Sequence, residues 1–565
     1  MKFSEIQYKR PDILKLEEKF NHLINLFINA ANFEEQDALI KDINDLRMEF
    51  QTQATLASIK YSIDTVNKEY EEEQNFFDAN MPVYEGLIHK YYTAIVKSKF
   101  RSELEQKWGK QLFDVAEIAL RTFSPEIVED LKVENELRTD YTKILASAKI
   151  FFDGEERNLQ GLVPYMESTD RETRKAANEA KWNFFKENSE EFDKLYDELV
   201  KVRARMSKKL GYKNFVQMGY DRMGRTDYNA EMVTIFREQV LKYIVPITVK
   251  LKQKQQKMLG VDSFKYYDQP LDYKTGNAKP NGSPDWIVSC ARNMYSELSP
   301  ETNEFFTFML ENELMDLVNK KGKDTGGYCT FIEKYRAPFI FSNFNGTMGD
   351  IEVLTHEAGH AFQAYSSRDF EIPEYFFPTS EACEIHSMSM EFLTWPWMEC
   401  FFKEQTEKFK YSHLKGSLIF IPYGVTVDEF QHWIYEHSEA SPVERKQAWR
   451  DIEKKYLPYI DYDGNEFLEL GGRWQQQRHI YMSPFYYIDY CLAQICAFQF
   501  WKKSHDNRTQ ALEDYLRLCK AGGSKSFLEL VKIANLISPF KNGCIESFVG
   551  EIEIWLDKKG EENFN

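Results

Sequence analysis

A mostly α-helical fold in two lobes, with one small β-sheet beside residue 350, is what this 565-residue sequence predicts. Three observations predict it. The length exceeds that of a single ordinary domain, so two or more lobes are expected. Gly and Pro are sparse through the first two hundred residues, where apolar positions recur with helical period and charged faces. Short aromatic and β-branched runs give their best strand signal between residues 328 and 344.

In chain order, helices are expected over Ile13 to Ala31, Glu35 to Glu71, Val83 to Lys107 and Arg171 to Lys208. Breaker-rich segments follow at Lys274 to Pro284 and at Lys320 to Gly327. Tyr328 to Tyr335 and Pro338 to Phe344 read as two strands of a hairpin, turning at Arg336-Ala337. After residue 384 the helical pattern returns. We divide the chain into an N-terminal helical lobe, residues 1–190, and a second region, residues 191–565.

Composition excludes some roles. A formal net charge of -18 disfavours nucleic acid and anionic membrane as partners. Aromatic residues make up 15% of the chain and are expected mainly in the core. Eight cysteines (Cys290, Cys329, Cys383, Cys400, Cys491, Cys496, Cys519, Cys544) form no CxxC pair, which predicts reduced thiols and a cytoplasmic location. Met-Lys-Phe-Ser-Glu-Ile-Gln at the start has no apolar signal core, in keeping with that expectation.

The chemistry concentrates at His356-Glu357-Ala358-Gly359-His360. Two histidines four apart share one face of a helix and can hold one Zn²⁺, leaving Glu357 free to reach a metal-bound water. Asp350 or Thr347 can cap this helix, and Ile351, Leu354, Ala358 and Ala361 give it an apolar face. Chance alone yields such a motif in on the order of one chain in fifty at this composition, so its surroundings matter. A catalytic zinc needs a third protein ligand and an open position. The metzincin extension is excluded, because positions 363 and 366 hold Gln363 and Ser366. A carboxylate from a later helix is then expected, from among Glu371, Glu374, Glu381, Glu384 and Glu391. Glu384 and Glu391 lie seven apart on one helical face, so one can ligate while the other supports a ligating His through its second nitrogen. Spacing does not choose between them.

The run Phe344-Asn-Gly-Thr, the motif His356-Glu-Ala-Gly-His-Ala-Phe-Gln and Glu384-Ile-His-Ser-Met-Ser-Met-Glu391 together resemble the thimet oligopeptidase-like metallopeptidases. The likeness is greatest to their oligoendopeptidase F branch, which includes Pz-peptidases that cleave collagen-derived peptides, and runs from about Asp170 to the C-terminus. It implies a deep substrate channel, one zinc ion per chain, His356, His360 and Glu384 as its ligands, and Glu391 behind a ligating His. It also implies an endopeptidase acting on internal bonds of short unfolded peptides, with Glu357 as general base. The competing readings are a peptidase of the same fold trimming chain ends, of carboxypeptidase or dipeptidase type, and a non-catalytic helical scaffold.

An oxyanion stabilised only in part by metal needs side-chain donors as well. Arg478-His479-Ile-Tyr-Met-Ser-Pro-Phe-Tyr486-Tyr487-Ile-Asp-Tyr490 is dense in them and resembles the family's substrate-contacting stretch. His479 and Tyr490 match catalytic positions, and Tyr486 or Tyr487 a further substrate contact. The segment departs from the thimet pattern at Met482-Ser-Pro-Phe485, where a Gly-rich stretch is replaced, which leaves the individual Tyr roles open. The hairpin offers an edge for an extended peptide, with Asn343 to Gly346 at its open end. His22, His89, His413, His432, His437 and His505 read as structural or surface residues.

Overall fold

The computed structural model describes residues 2–560. Helices dominate, with two small sheets among the described residues. Helices Ile13–Asn29, Phe33–Ile63 and Lys68–Val96 pack on one another around a core that includes Phe20, Ile24, Ile43, Leu87 and Tyr91. A much larger core runs from Ile6 to Leu556 and holds most of the buried aromatic rings.

Helix ends differ from the sequence reading where capping chemistry decides. The expected helix from Glu35 to Glu71 stops at Ile63. A new one opens at Lys68, where the Asn67 side chain accepts from the backbone N–H groups of Glu69 and Tyr70. That second helix continues past Pro82, giving up one backbone bond. Arg171 to Lys208 divides at Asn188 into Arg171–Glu187 and Ser189–Lys209.

Strands β1 (Ile150–Phe152) and β2 (Glu155–Arg157) form a small hairpin, turned at Asp153-Gly154, both with positive φ (52° and 79°). The second sheet has β3 (Met315–Val318), β4 (Tyr328–Ile332) and β5 (Ala337–Phe344) in the order β3-β5-β4. The predicted hairpin is β4 with β5, pairing Tyr328 with Phe341 and Ile332 with Ala337, and its turn comes at Arg336 in the left-handed region. β3, paired parallel to β5, was not expected, since four residues carry too little alternation to be read. It makes β5 the central strand.

The helix carrying the motif, Gly349–Ser366, follows β5 directly and packs on that sheet. Its other face meets helix Ser380–Leu393, which in turn packs on helix Tyr487–Asp506. The Arg47 guanidinium ties the N-terminal helices to this region. It lies 2.6 Å from Glu374 Oε1, which also accepts from the Tyr92 hydroxyl at 2.7 Å. The expectation of eight reduced thiols is corrected at one pair. Cys290 and Cys400, 110 residues apart, form a disulfide with Cα atoms 5.9 Å apart, while the other six are free. Helix packing brings the two together, and no sequence spacing announces it. No helix among the described residues is long and apolar enough to cross a membrane.

Candidate metal centre and active site

Gly359 lets the site form. A Cβ there would stand 2.6 Å from Ser387 Cα and 2.7 Å from the His386 carbonyl oxygen. Only glycine permits the motif helix and helix Ser380–Leu393 to cross so closely. That crossing delivers Glu384 to the two histidines.

His356, His360 and Glu384 offer one ligand atom each, all within 4.8 Å of one another. Glu384 Oε2 lies 3.2 Å from His356 Nε2 and 3.6 Å from His360 Nε2. Two imidazole nitrogens and one carboxylate oxygen form the donor set of a catalytic zinc site with an open position, so these residues fit a divalent cation. Glu384 is held in place by the Ser387 hydroxyl on Oε2 (3.1 Å) and the Tyr486 hydroxyl on Oε1 (3.2 Å).

Charge in the site is strongly interdependent. Burial pushes the His356 pKa down, but hydrogen bonds to Glu384 and Glu391 prevail and hold it well above the usual value. Burial opposes ionisation of Glu384, yet hydrogen bonds from His356 and His360 keep its carboxyl far below the usual range. Burial raises the Glu357 carboxyl, with the two histidines moderating the effect. Glu391 Oε1 lies 2.7 Å from His356 Nδ1, on the far side of that ring from Glu384. Glu374 is spent on Arg47, and Glu381 is buried near Asp489 and Arg225, away from this ligand set.

Joined to Glu384 through Tyr486, the residues His479, Tyr486, Tyr487 and Tyr490 gather in one aromatic cluster. The His479 ring stacks on Tyr486 (5.7 Å) and lies 4.9 Å from Tyr487 and 6.0 Å from Tyr490. Burial, reinforced by Glu384, pushes the Tyr490 phenol up to about 12, so it remains a donor at neutral pH. Burial and then Arg478 lower His479 to about 4, so its ring is neutral. Tyr487 makes ring contacts with Phe420 and Tyr423 as well, and faces these aromatics as much as the site.

Two residues escaped the sequence reading. Gln477 orients His479 from two positions away, and His413 contacts Glu391 from the long helix Thr406–Glu436, although it read as a scattered structural histidine. The peptide edge also needs correction. Asn343 sits on the central strand β5, and its side-chain amide donates to the carbonyls of Asp324 (2.8 Å) and Gly326 (2.9 Å). Gly346 lies in a loop pinned by Asp350, which accepts from the N–H groups of Asn345 and Gly346 instead of capping the motif helix. The edge falls to β4, whose start lies next to the general-base candidate: a Cβ on Gly327 would stand 3.7 Å from Glu357 Oε1.

Comparison with known proteins identifies the family and the fold. The Peptidase M3 N-terminal domain matches residues 3–123, and Peptidase family M3 matches residues 164–282 and 296–549. A solved structure of Pz peptidase A with an inhibitor is 60% identical, with a TM-score of 0.93, covering 99% of each chain. An oligopeptidase PepF from Bacillus subtilis is 22% identical over 409 residues, 68% of this chain and 57% of that protein. An oligoendopeptidase F homolog from Borreliella burgdorferi is 24% identical over 326 residues, 56% of this chain and 53% of that protein. The matched stretch thus spans little more than half the length of these curated relatives. On the strength of the family match, the chain belongs to peptidase family M3.

Proposed function

We propose that the protein is a zinc-dependent oligopeptidase that cuts internal bonds of short, unfolded peptides, collagen-derived peptides among them, in the cytoplasm. The observation that carries this reading is the convergence of His356, His360 and Glu384 within 4.8 Å. Glu357 rises from the same helix face, and the chain is a family M3 member. The name of Pz peptidase A, 60% identical, supports the substrate class. The N-terminal lobe (1–190) and the region 191–565 wall the channel that admits the peptide.

The chain's own groups then divide the work. A divalent cation held by His356, His360 and Glu384 supplies Lewis acidity, polarising a carbonyl and lowering the pKa of water. Glu357 takes a proton from the attacking water at its carboxylate, then delivers it to the departing amine nitrogen. Its raised pKa suits both tasks. The Tyr490 hydroxyl and the His479 ring N–H donate to the carbonyl oxygen as negative charge develops there. Tyr486 keeps Glu384 oriented through their 3.2 Å hydrogen bond. β4 holds the peptide backbone alongside, reading no side chains and so tolerating varied sequences.

The test is a digestion of peptides of graded length by the wild type and Glu357→Gln, with and without a chelator, the cuts mapped by mass. Internal cuts abolished by both treatments support the reading. Cuts confined to a terminus favour a trimming enzyme, and absence of cleavage by metal-loaded protein favours a scaffold.

A further inference from the structure

Behind the ligand set runs a chain of hydrogen bonds that joins four helical elements. Trp395 Nε1 lies 3.1 Å from His413 Nδ1, His413 Nε2 lies 2.6 Å from Glu391 Oε2, and Glu391 Oε1 lies 2.7 Å from His356 Nδ1. An indole N–H can only donate, so His413 Nδ1 must accept. The proton of the neutral His413 ring is thereby confined to Nε2, which donates to Glu391. The carboxylate accepts at both oxygens, so His356 Nδ1 carries a proton, which leaves Nε2, beside Glu384 Oε2 and His360, as the nitrogen that would present its lone pair to a bound cation.

Each member is fixed by packing. His413 is 6% exposed and stacks on Phe409 with a 7° interplanar angle, while Phe392 closes its other side at 4.9 Å. Trp395, also 6% exposed, opens the turn that follows helix Ser380–Leu393. Water is therefore kept from the His413 end of the chain, and both Glu391 oxygens are engaged.

We propose that His413 and Trp395 are positioning residues that lock the tautomer of His356 through Glu391 and thereby set the affinity of the site for its divalent cation. This rests on the reading of His356 as a ligand. Outer partners that fix a ligating imidazole are worth about 10–100-fold in metal affinity. The relay explains why a buried histidine and a buried tryptophan, neither in the ligand set, are joined to the site.

The experiment uses the full-length protein and measures Zn²⁺ affinity by competition with a fluorescent chelator, for the wild type, His413→Leu, His413→Gln and Trp395→Phe. Folding is checked by circular dichroism, and the His356 Nδ1–H resonance is followed by NMR with labelled histidine. His413→Leu should bind Zn²⁺ about 10–100-fold more weakly and lose the resonance. His413→Gln, whose amide nitrogen can donate to Glu391 as Nε2 does, should bind close to wild type, and Trp395→Phe several-fold more weakly. Should His413→Leu fail to fold, the contrast between the other two variants decides. Equal Zn²⁺ affinity in all folded variants would overturn the relay, even if their melting temperatures fell, because a packing role alone predicts that pattern. His413→Gln as weak as His413→Leu would overturn it too. A wild type that binds no Zn²⁺ would instead bring down the ligand assignment itself.

Discussion

Gln477 Nε2 lies 2.9 Å from His479 Nδ1, and Gln477 Oε1 accepts from the Tyr423 hydroxyl at 2.7 Å. With the Gln477 amide in this orientation its N–H faces the histidine, so His479 Nδ1 accepts and its one proton sits on Nε2. That nitrogen is then a donor towards the site. Gln477→Leu frees the tautomer and should cost about tenfold in kcat/KM, the scale of one hydrogen bond. An unchanged kcat/KM would remove His479 from the reaction or Gln477 from its control.

Tyr490 bears on the reaction differently. Its phenol stays protonated until about pH 12, so it can donate as the oxyanion forms. Tyr490→Phe should lower kcat by about 10²–10³-fold, the usual loss on removing one such donor, with little change in KM. If KM rises and kcat holds, Tyr490 binds substrate and does not stabilise the transition state.

Gly359→Ala tests the helix crossing. The added methyl meets backbone atoms of Ser387 and His386 under 3.0 Å away, so no side-chain rotation relieves it. Overpacking of this kind costs about 1–3 kcal/mol. Separation of the helices also withdraws Glu384 from the histidines. Thermal melts should show the variant less stable, and chelator competition should show weaker Zn²⁺ binding. A variant that is stable and binds metal normally would mean the crossing has slack.

Acid stability can be followed at His432. Burial lowers its pKa to about 4, and its Nε2 lies 2.9 Å from the Tyr220 hydroxyl. The folded-state value lies below the unfolded value of about 6.5. The unfolded chain therefore binds more protons between pH 6.5 and 4, and stability is complete above 6.5 and lost as pH falls through that window. The loss amounts to about 3 kcal/mol, at 1.36 kcal/mol per pKa unit. Urea unfolding of the wild type and His432→Gln at pH 7 and pH 4 should show the wild type losing more stability by about that amount. Equal losses would place the acid sensitivity elsewhere.

How much of this was readable depends on range. The motif helix follows from local periodicity, and the four-residue spacing of His356 and His360 puts both on one face of it. Glu384 and Glu391 are a local pair that spacing does not tell apart, and only family likeness favours one as the ligand. Gln477 and His413 were invisible for a physical reason: each sits in a hydrogen-bonded chain with a third residue, Tyr423 or Trp395, and no periodicity encodes a three-body arrangement. The sheet order failed in the same way. A parallel partner to β5 comes from a distant four-residue segment, and it moved the free edge from Asn343 to β4.

That moved edge gives the last prediction. β4 pairs with β5 on one side only, in the register Cys329 with Ile340 and Thr330 with Phe339. Neighbouring residues of an antiparallel strand point their N–H groups in opposite directions, so of Cys329 and Thr330 one faces β5 and the other faces outward. Proline removes the donor in either case. The variant that loses a bond to β5 should be destabilised. The other should fold normally and show a sharply raised KM with kcat nearly kept, because only a backbone bond to the peptide is gone. Michaelis constants and melting temperatures of Cys329→Pro and Thr330→Pro measure both effects. A folded variant with an unchanged KM would show that peptides reach Glu357 without pairing to β4.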